Sequence, residues 1–127
     1  MAELNIYQFM FDQLSDVLPP GWIITYEPRE SEQVDLPCVI VRRISEVPFD
    51  TKTGKGQNIL VDLAFFVNNT GSRSTLETVT FDAKTALHRL RGAGVAKESI
   101  VQVVDVTGER DVIGKILTAN IIYYNED

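Results

Sequence analysis

The chain is poor in the residues that most chemistry needs. Its 127 residues include one cysteine and one histidine. A single cysteine, Cys38, excludes an intrachain disulfide and suits a reducing compartment. One Cys with one His also excludes a structural zinc site of the usual ligand sets. Positive charge is in deficit, with 12 Lys and Arg against 18 Asp and Glu, a net charge of −6. Gripping nucleic acid needs clustered Lys and Arg, so that class is disfavoured. No apolar run approaches the ~20 residues of a membrane span. Met1-Ala2-Glu3-Leu4 lacks the basic start and apolar core of a secretory signal, so none is expected there.

What is present is ordinary globular material: 44% hydrophobic residues and 24% charged ones, in a length that suits one domain spanning residues 1–127. Such a chain buries roughly two-thirds of the surface that its unfolded form exposes, enough for a core without staples.

Leu4 to Leu18 has the rhythm of a helix. Tyr7, Met10, Phe11, Leu14, Val17 and Leu18 recur at helical spacing, and Pro19-Pro20-Gly21 stops the pattern. Trp22 to Glu27 reads as a short strand and Pro28 to Pro37 as a polar, acidic surface loop. Cys38 to Val47 is a second strand, rich in β-branched residues. Pro48 to Gly56 has turn-forming composition and is expected at the tip of a long hairpin. Gln57 to Asn68 is the third strand, with Ile59, Val61, Leu63, Phe65 and Val67 alternating on one face. Asn69 to Ser74 is a second polar loop. Thr75 to Arg91 is the second helix; Ser74 and Glu77 have the spacing of a capping box, and Leu76, Val79, Ala83, Ala86, Leu87 and Leu90 form its stripe. His88, Arg89 and Arg91 favour its last turn, and Gly92-Ala93-Gly94 ends it. Ser99 to Thr107 and Gly114 to Asn125 are the last strands, joined through Gly108-Glu109-Arg110-Asp111. The order α-β-β-β-α-β-β predicts an α+β domain. Its mostly antiparallel sheet of about five strands carries both helices on one face.

A sheet covered on one side alternates apolar and polar residues. Here the alternation is poor. On the face opposite the inward set lie Leu60, Ala64 and Phe66 of the third strand, and Ile116, Ile122 and Tyr124 of the last. Ile100 to Val104 is apolar on both sides. Two short helices cannot cover both faces, so the second face reads as a surface for another protein. The alternative is that the sheet buries part of this face on itself, or leaves scattered apolar residues exposed.

No catalytic constellation emerges. Cys38 follows Pro37 in an apolar strand and reads as a small packed hydrophobe, not a thiolate. Asp62, Asp82 and Asp105 are scattered and have no calcium-loop spacing. Gly54-Lys55-Gly56 lacks the spacing and following helix of a phosphate loop. No cofactor is expected. Lys52, Lys55 and Arg73 are the loop charges available for contact, and each can equally be a solvated tip. Phe49, in a polar loop, can anchor a partner or fold back over the hairpin.

Several segments together carry a resemblance: Asp35-Leu36-Pro37-Cys38-Val39-Ile40-Val41, then Ile59-Leu60-Val61-Asp62-Leu63-Ala64-Phe65-Phe66-Val67, the helix start Ser74-Thr75-Leu76-Glu77 and the ending Ile121-Ile122-Tyr123-Tyr124. In this order they resemble the tail terminator, or tail-to-head joining, proteins of long-tailed bacteriophages and prophages. The resemblance spans nearly the whole chain and includes no catalytic signature. It implies a non-enzymatic virion protein that forms a ring, a hexamer in that family. The ring would sit on the head-proximal end of the tail tube, end its polymerisation and offer a surface to the head connector or completion protein. Its implied partners are itself, the tail tube protein and that head protein. DNA would slide through an acidic lumen without specific binding, and no membrane is involved. The implied location is the bacterial cytoplasm during assembly and then the virion tail. Another neck or minor tail protein, a small peptide- or ligand-binding adaptor, and an enzyme with carboxylates that sequence cannot pair remain open alternatives.

Overall fold

In the computed structural model, residues 6–27, 35–50, 54–68, 73–87, 95–107 and 112–126 are described. Helix α1 spans Ile6–Val17 and helix α2 spans Arg73–Leu87. The strands are β1 Ile23–Tyr26, β2 Cys38–Asp50, β3 Gly54–Asn68, β4 Val95–Thr107 and β5 Val112–Glu126. The order α-β-β-β-α-β-β and the α+β class match the sequence reading.

One five-stranded sheet runs in the order β1-β2-β3-β5-β4. Its pairings are antiparallel except at one edge, where β1 runs parallel to β2. The last strand enters the middle of the sheet and leaves β4 at the other edge. Thus β3, α2 and β4 form a crossover with β5 inserted between the two strands, a split βαβ arrangement.

Periodicity explains which side is core. From β3, Ile59, Val61, Leu63, Phe65 and Val67 all point to the helices and are at most 3% exposed. Val39 and Val41 of β2 and Leu117, Ala119 and Ile121 of β5 extend this layer. Helix α1 contributes Ile6, Met10 and Leu14, and α2 contributes Leu76, Val79, Ala83 and Leu87. Thr80 is buried among them because its hydroxyl donates to the Leu76 carbonyl at 2.8 Å. The Trp22 ring meets Phe65 edge-on at 6.3 Å and closes the end below the Pro19-Pro20 stop.

Three expectations need correction. Phe11 was placed on the α1 stripe but is 39% exposed; the buried row is Ile6, Met10 and Leu14, with Phe9 packed beside it. Pro48 to Gly56 is not a turn throughout. Pro48–Asp50 pair with Lys55–Gln57 as ladder, and β5 supports the same rungs from its other side. Hydrogen bonds to neighbours on a wide sheet outweigh the weak turn preference of these residues. Ser74 is not a helix cap, because α2 already begins at Arg73. Leu90, His88, Arg89, Arg91 and the glycines after them lie outside the described residues, as do Leu4, Lys52 and most of the two polar loops.

Candidate assembly surface

The face of the sheet turned away from the helices is built in rungs. Cys38, Phe66, Gly114 and Val106 share one rung; Ile40, Ala64, Ile116 and Val104 share the next. Most of these residues form a small second core, while Val104 at its rim is exposed. Cys38, Ile40 and Ala64 are fully buried, Phe66 is 7% exposed, and Leu36, Val106, Val112 and Ile116 pack around them. Gly114 makes this possible. A Cβ there would lie 2.6 Å from the Phe65 carbonyl oxygen and 2.7 Å from the Phe66 ring. The missing side chain is the space in which the Phe66 ring lies. Burial pushes the Cys38 thiol up to about 11, so it stays protonated at neutral pH and has no thiolate character.

The third rung is polar: Arg42, Asp62, Thr118 and Gln102. The Thr118 hydroxyl donates to Asp62 Oδ1 at 2.6 Å and satisfies the carboxylate on the sheet surface. Beyond it the face is mixed. Ser45, Leu60, Asn120 and Ser99 share a rung, followed by Val47, Asn58, Ile122 and Lys97. Leu60 and Ile122 are half-buried, and Val47 is 57% exposed. Val47, Leu60 and Ile122, set among Ser45, Asn58 and Asn120, give a mixed surface of the kind found in protein interfaces.

The sequence-derived contact residues therefore separate into groups. Leu60 and Ile122 lie together on this patch. Phe49 and Tyr124 flank Gly56 from either side on the ladder, further along the same strands, and Lys55 pairs with Asp50 and Asn125. Phe66 belongs to the second core and offers little surface. Arg73 opens α2 on the opposite face, near the exposed carboxylate of Asp105. Val47 and Ile44 were missed. A bulge between Arg43 and Ser45 breaks the alternation from which faces are read, and leaves Ile44 52% exposed.

On the helix side, Lys115 is 13% exposed and joins three elements. Its ammonium lies 3.2 Å from Glu77 on α2 and 2.8 Å from Asp105 on β4. The Asp105 contact, with help from Glu77, raises the Lys115 pKa, and the Lys115 ammonium holds that of Asp105 below its ordinary value. At the other edge, Tyr7 on α1 donates to the Glu27 carboxylate, which also accepts the Arg43 backbone N–H at 3.2 Å. Desolvation and then Glu27 push the Tyr7 hydroxyl pKa up. These contacts tie the helices to the sheet edges and bring no second titratable group into a closed cavity.

The grooves among the described residues are open. One of about 480 Å³ between α1 and α2 is lined by Gln13, Asp16, Val17, Asp82, Thr85 and Ala86. Another, of about 420 Å³, lies along Phe11, Leu18, Pro19, Pro20 and Trp22. Neither gathers a nucleophile with a base. Among the described residues no three potential ligands cluster to hold a metal, and no helix is long and apolar enough to cross a membrane.

No protein-family model matches the chain, and no curated protein matches it in sequence. Solved structures do share the fold. A chain of the virion of a native gene transfer agent particle superposes with a TM-score of 0.58 at 14% identity, covering 91% of this chain and 92% of that one. A crystal structure from Akkermansia muciniphila superposes with a TM-score of 0.51 at 10% identity. It covers 93% of this chain, which spans about half (48%) of that one.

Proposed function

We infer that the chain is a structural protein of a phage-like particle. It forms a ring on the head-proximal end of the tail tube, ends tube polymerisation and presents a surface for head joining. The observation that carries this reading is the likeness, end to end in both chains, to a component of a gene transfer agent virion, a phage-like particle. Open grooves that, among the described residues, bring no nucleophile to a base fit a role in assembly better than one in catalysis. The half-exposed patch of Val47, Leu60 and Ile122 supplies apolar contact area of the kind that docking on another protein needs.

The test is the mass of the protein in solution by light scattering, with and without purified tail tube, followed by sedimentation with the tube. A discrete ring found at one tube end, and tubes that stop growing when it is added, are the expected results. A protein that ignores the tube at every concentration sinks the reading. Binding along the tube wall, with growth unaffected, would favour another tail or neck role.

A further inference from the structure

Both edges of the sheet are irregular at the same height, one by a step and the other by a bulge. At one edge β1 is only four residues long and pairs with Cys38–Val41 of β2. Past it, the Glu27 N–H reaches the Val41 carbonyl and the Glu27 carboxylate takes the Arg43 N–H. From Ile44 to Asp50, β2 then has no outer neighbour among the described residues. The outline of this edge thus steps inward by one strand just above Tyr26. At the opposite edge β4 is 13 residues long and likewise has no outer neighbour among the described residues. It bulges between Ile100 and Gln102.

Following the rungs across the sheet, Tyr26 is level with Val103, and Arg43 is level with Ile100. The step in one edge and the bulge in the other therefore occur at the same height. The residues extruded there are both apolar and exposed, Ile44 at 52% and Val101 at 56%. Of the seven exposed large hydrophobic residues among those described, five, Ile23, Ile44, Val47, Val101 and Val104, lie on β1, β2 and β4, and Phe11 and Phe81 lie on the helices. Chain direction completes the match. β4 runs opposite to β2, so a second copy in the same orientation continues the antiparallel alternation.

We propose that copies of this chain join edge to edge, the β4 edge of one copy adding as a strand to the β1–β2 edge of the next. Edge backbone groups that have no strand neighbour among the described residues supply the hydrogen bonds, and Val101 meets Ile44 at the step. The contact is heterologous, joining two different edges, so it can repeat around a closed ring. It rests on the assembly reading above and names the surface that makes the ring.

The experiment blocks one edge at a time. Val101→Lys blocks β4 and Ile44→Lys blocks β2; both residues are exposed, and circular dichroism checks that each variant folds. Self-association is measured by light scattering up to millimolar concentration. The wild type is expected to assemble, and each variant alone to associate at least about tenfold more weakly, about 1.4 kcal/mol. An equimolar mixture of the two should give a dimer and nothing larger, because one intact edge remains on each chain. A double variant, Ile44→Cys with Val101→Cys, should form intermolecular disulfides between those two positions under mild oxidation. Wild-type-like assembly of either lysine variant overturns the proposal. So does pairing by Ile44→Lys alone that mixing does not change, which would mean that β4 pairs with itself. A wild type that stays monomeric at millimolar concentration also overturns it. Docking on the tail tube is read separately by sedimentation, so a failed edge contact and a failed assembly role give different results.

Discussion

At the scale of single residues, Gly114 and Cys38 are the most constrained positions of the uncovered face. A methyl group at Gly114 would press on the backbone carbonyl of Phe65 as well as on a ring, and a carbonyl within a five-stranded ladder has little room to move. Gly114→Ala is expected to cost about 1–3 kcal/mol, the usual range for overpacking, read as a fall in urea midpoint at unchanged slope. Phe66→Ala removes the ring and empties the same space; it is expected to cost about 3–5 kcal/mol, near the range for buried aromatic truncations. Cys38 gives a pH signature. Its folded pKa of about 11 lies above the ordinary 9.0, so the unfolded chain gives up the proton first. The unfolded state then binds fewer protons than the folded one, and stability falls as pH rises between those values. Wild type should lose more stability over that window than Cys38→Ala does. The native thiol should react with an aromatic disulfide reagent only at the rate of unfolding. Rapid labelling of the folded protein at pH 8 would refute this.

At the scale of elements, β4 is held to the helix layer by Lys115, which reaches both Glu77 and Asp105. The raised Lys115 pKa means that this contribution is complete below the ordinary lysine value of 10.5 and is lost as pH climbs through the folded value. Lys115→Ala is expected to lower the melting temperature and to quicken amide exchange in β4, with a smaller effect at high salt. Equal loss at low and high salt would show that the aliphatic stem, not the charge, is what matters. The same elements show what sequence could and could not reveal. The third strand was legible because five alternating apolar residues, Ile59 to Val67, face one buried layer. Its extension to Gly54 was not, because Gly54-Lys55-Gly56 pairs through backbone hydrogen bonds to β5, and composition does not encode the backbone partner. The order of elements was readable; the parallel β1 and the insertion of β5 between β3 and β4 were not, since each depends on pairings between distant segments. On the candidate surface, Leu60 and Ile122 follow from period-two counting. Val47 and Ile44 escape it because the bulge shifts the count by one.

At the scale of the whole molecule, the two faces of one sheet do different work. The helix-side face is closed by α1 and α2 and defines the monomer. The other face is closed at the Cys38 end by its own second core and crossed by the polar rung of Arg42, Asp62, Thr118 and Gln102. Among the described residues it is most open at the Val47 end. If the ring is held by the edges, this open end is left for the tube or the head, and contacts between copies should be separable from docking. Leu60→Glu and Ile122→Glu place a carboxylate among half-buried aliphatic groups at the surface, so the folding cost is small beside that of a core substitution. At an interface the same carboxylate is buried without a partner, at several kcal/mol. Both variants should therefore keep wild-type self-association and lose tube binding by at least about a hundredfold, about 2.7 kcal/mol. Sedimentation with tail tube at a fixed salt concentration measures the second quantity, and light scattering without tube measures the first. Loss of self-association together with retained tube binding would reverse the assignment, placing the copies on this face and the tube at the edges.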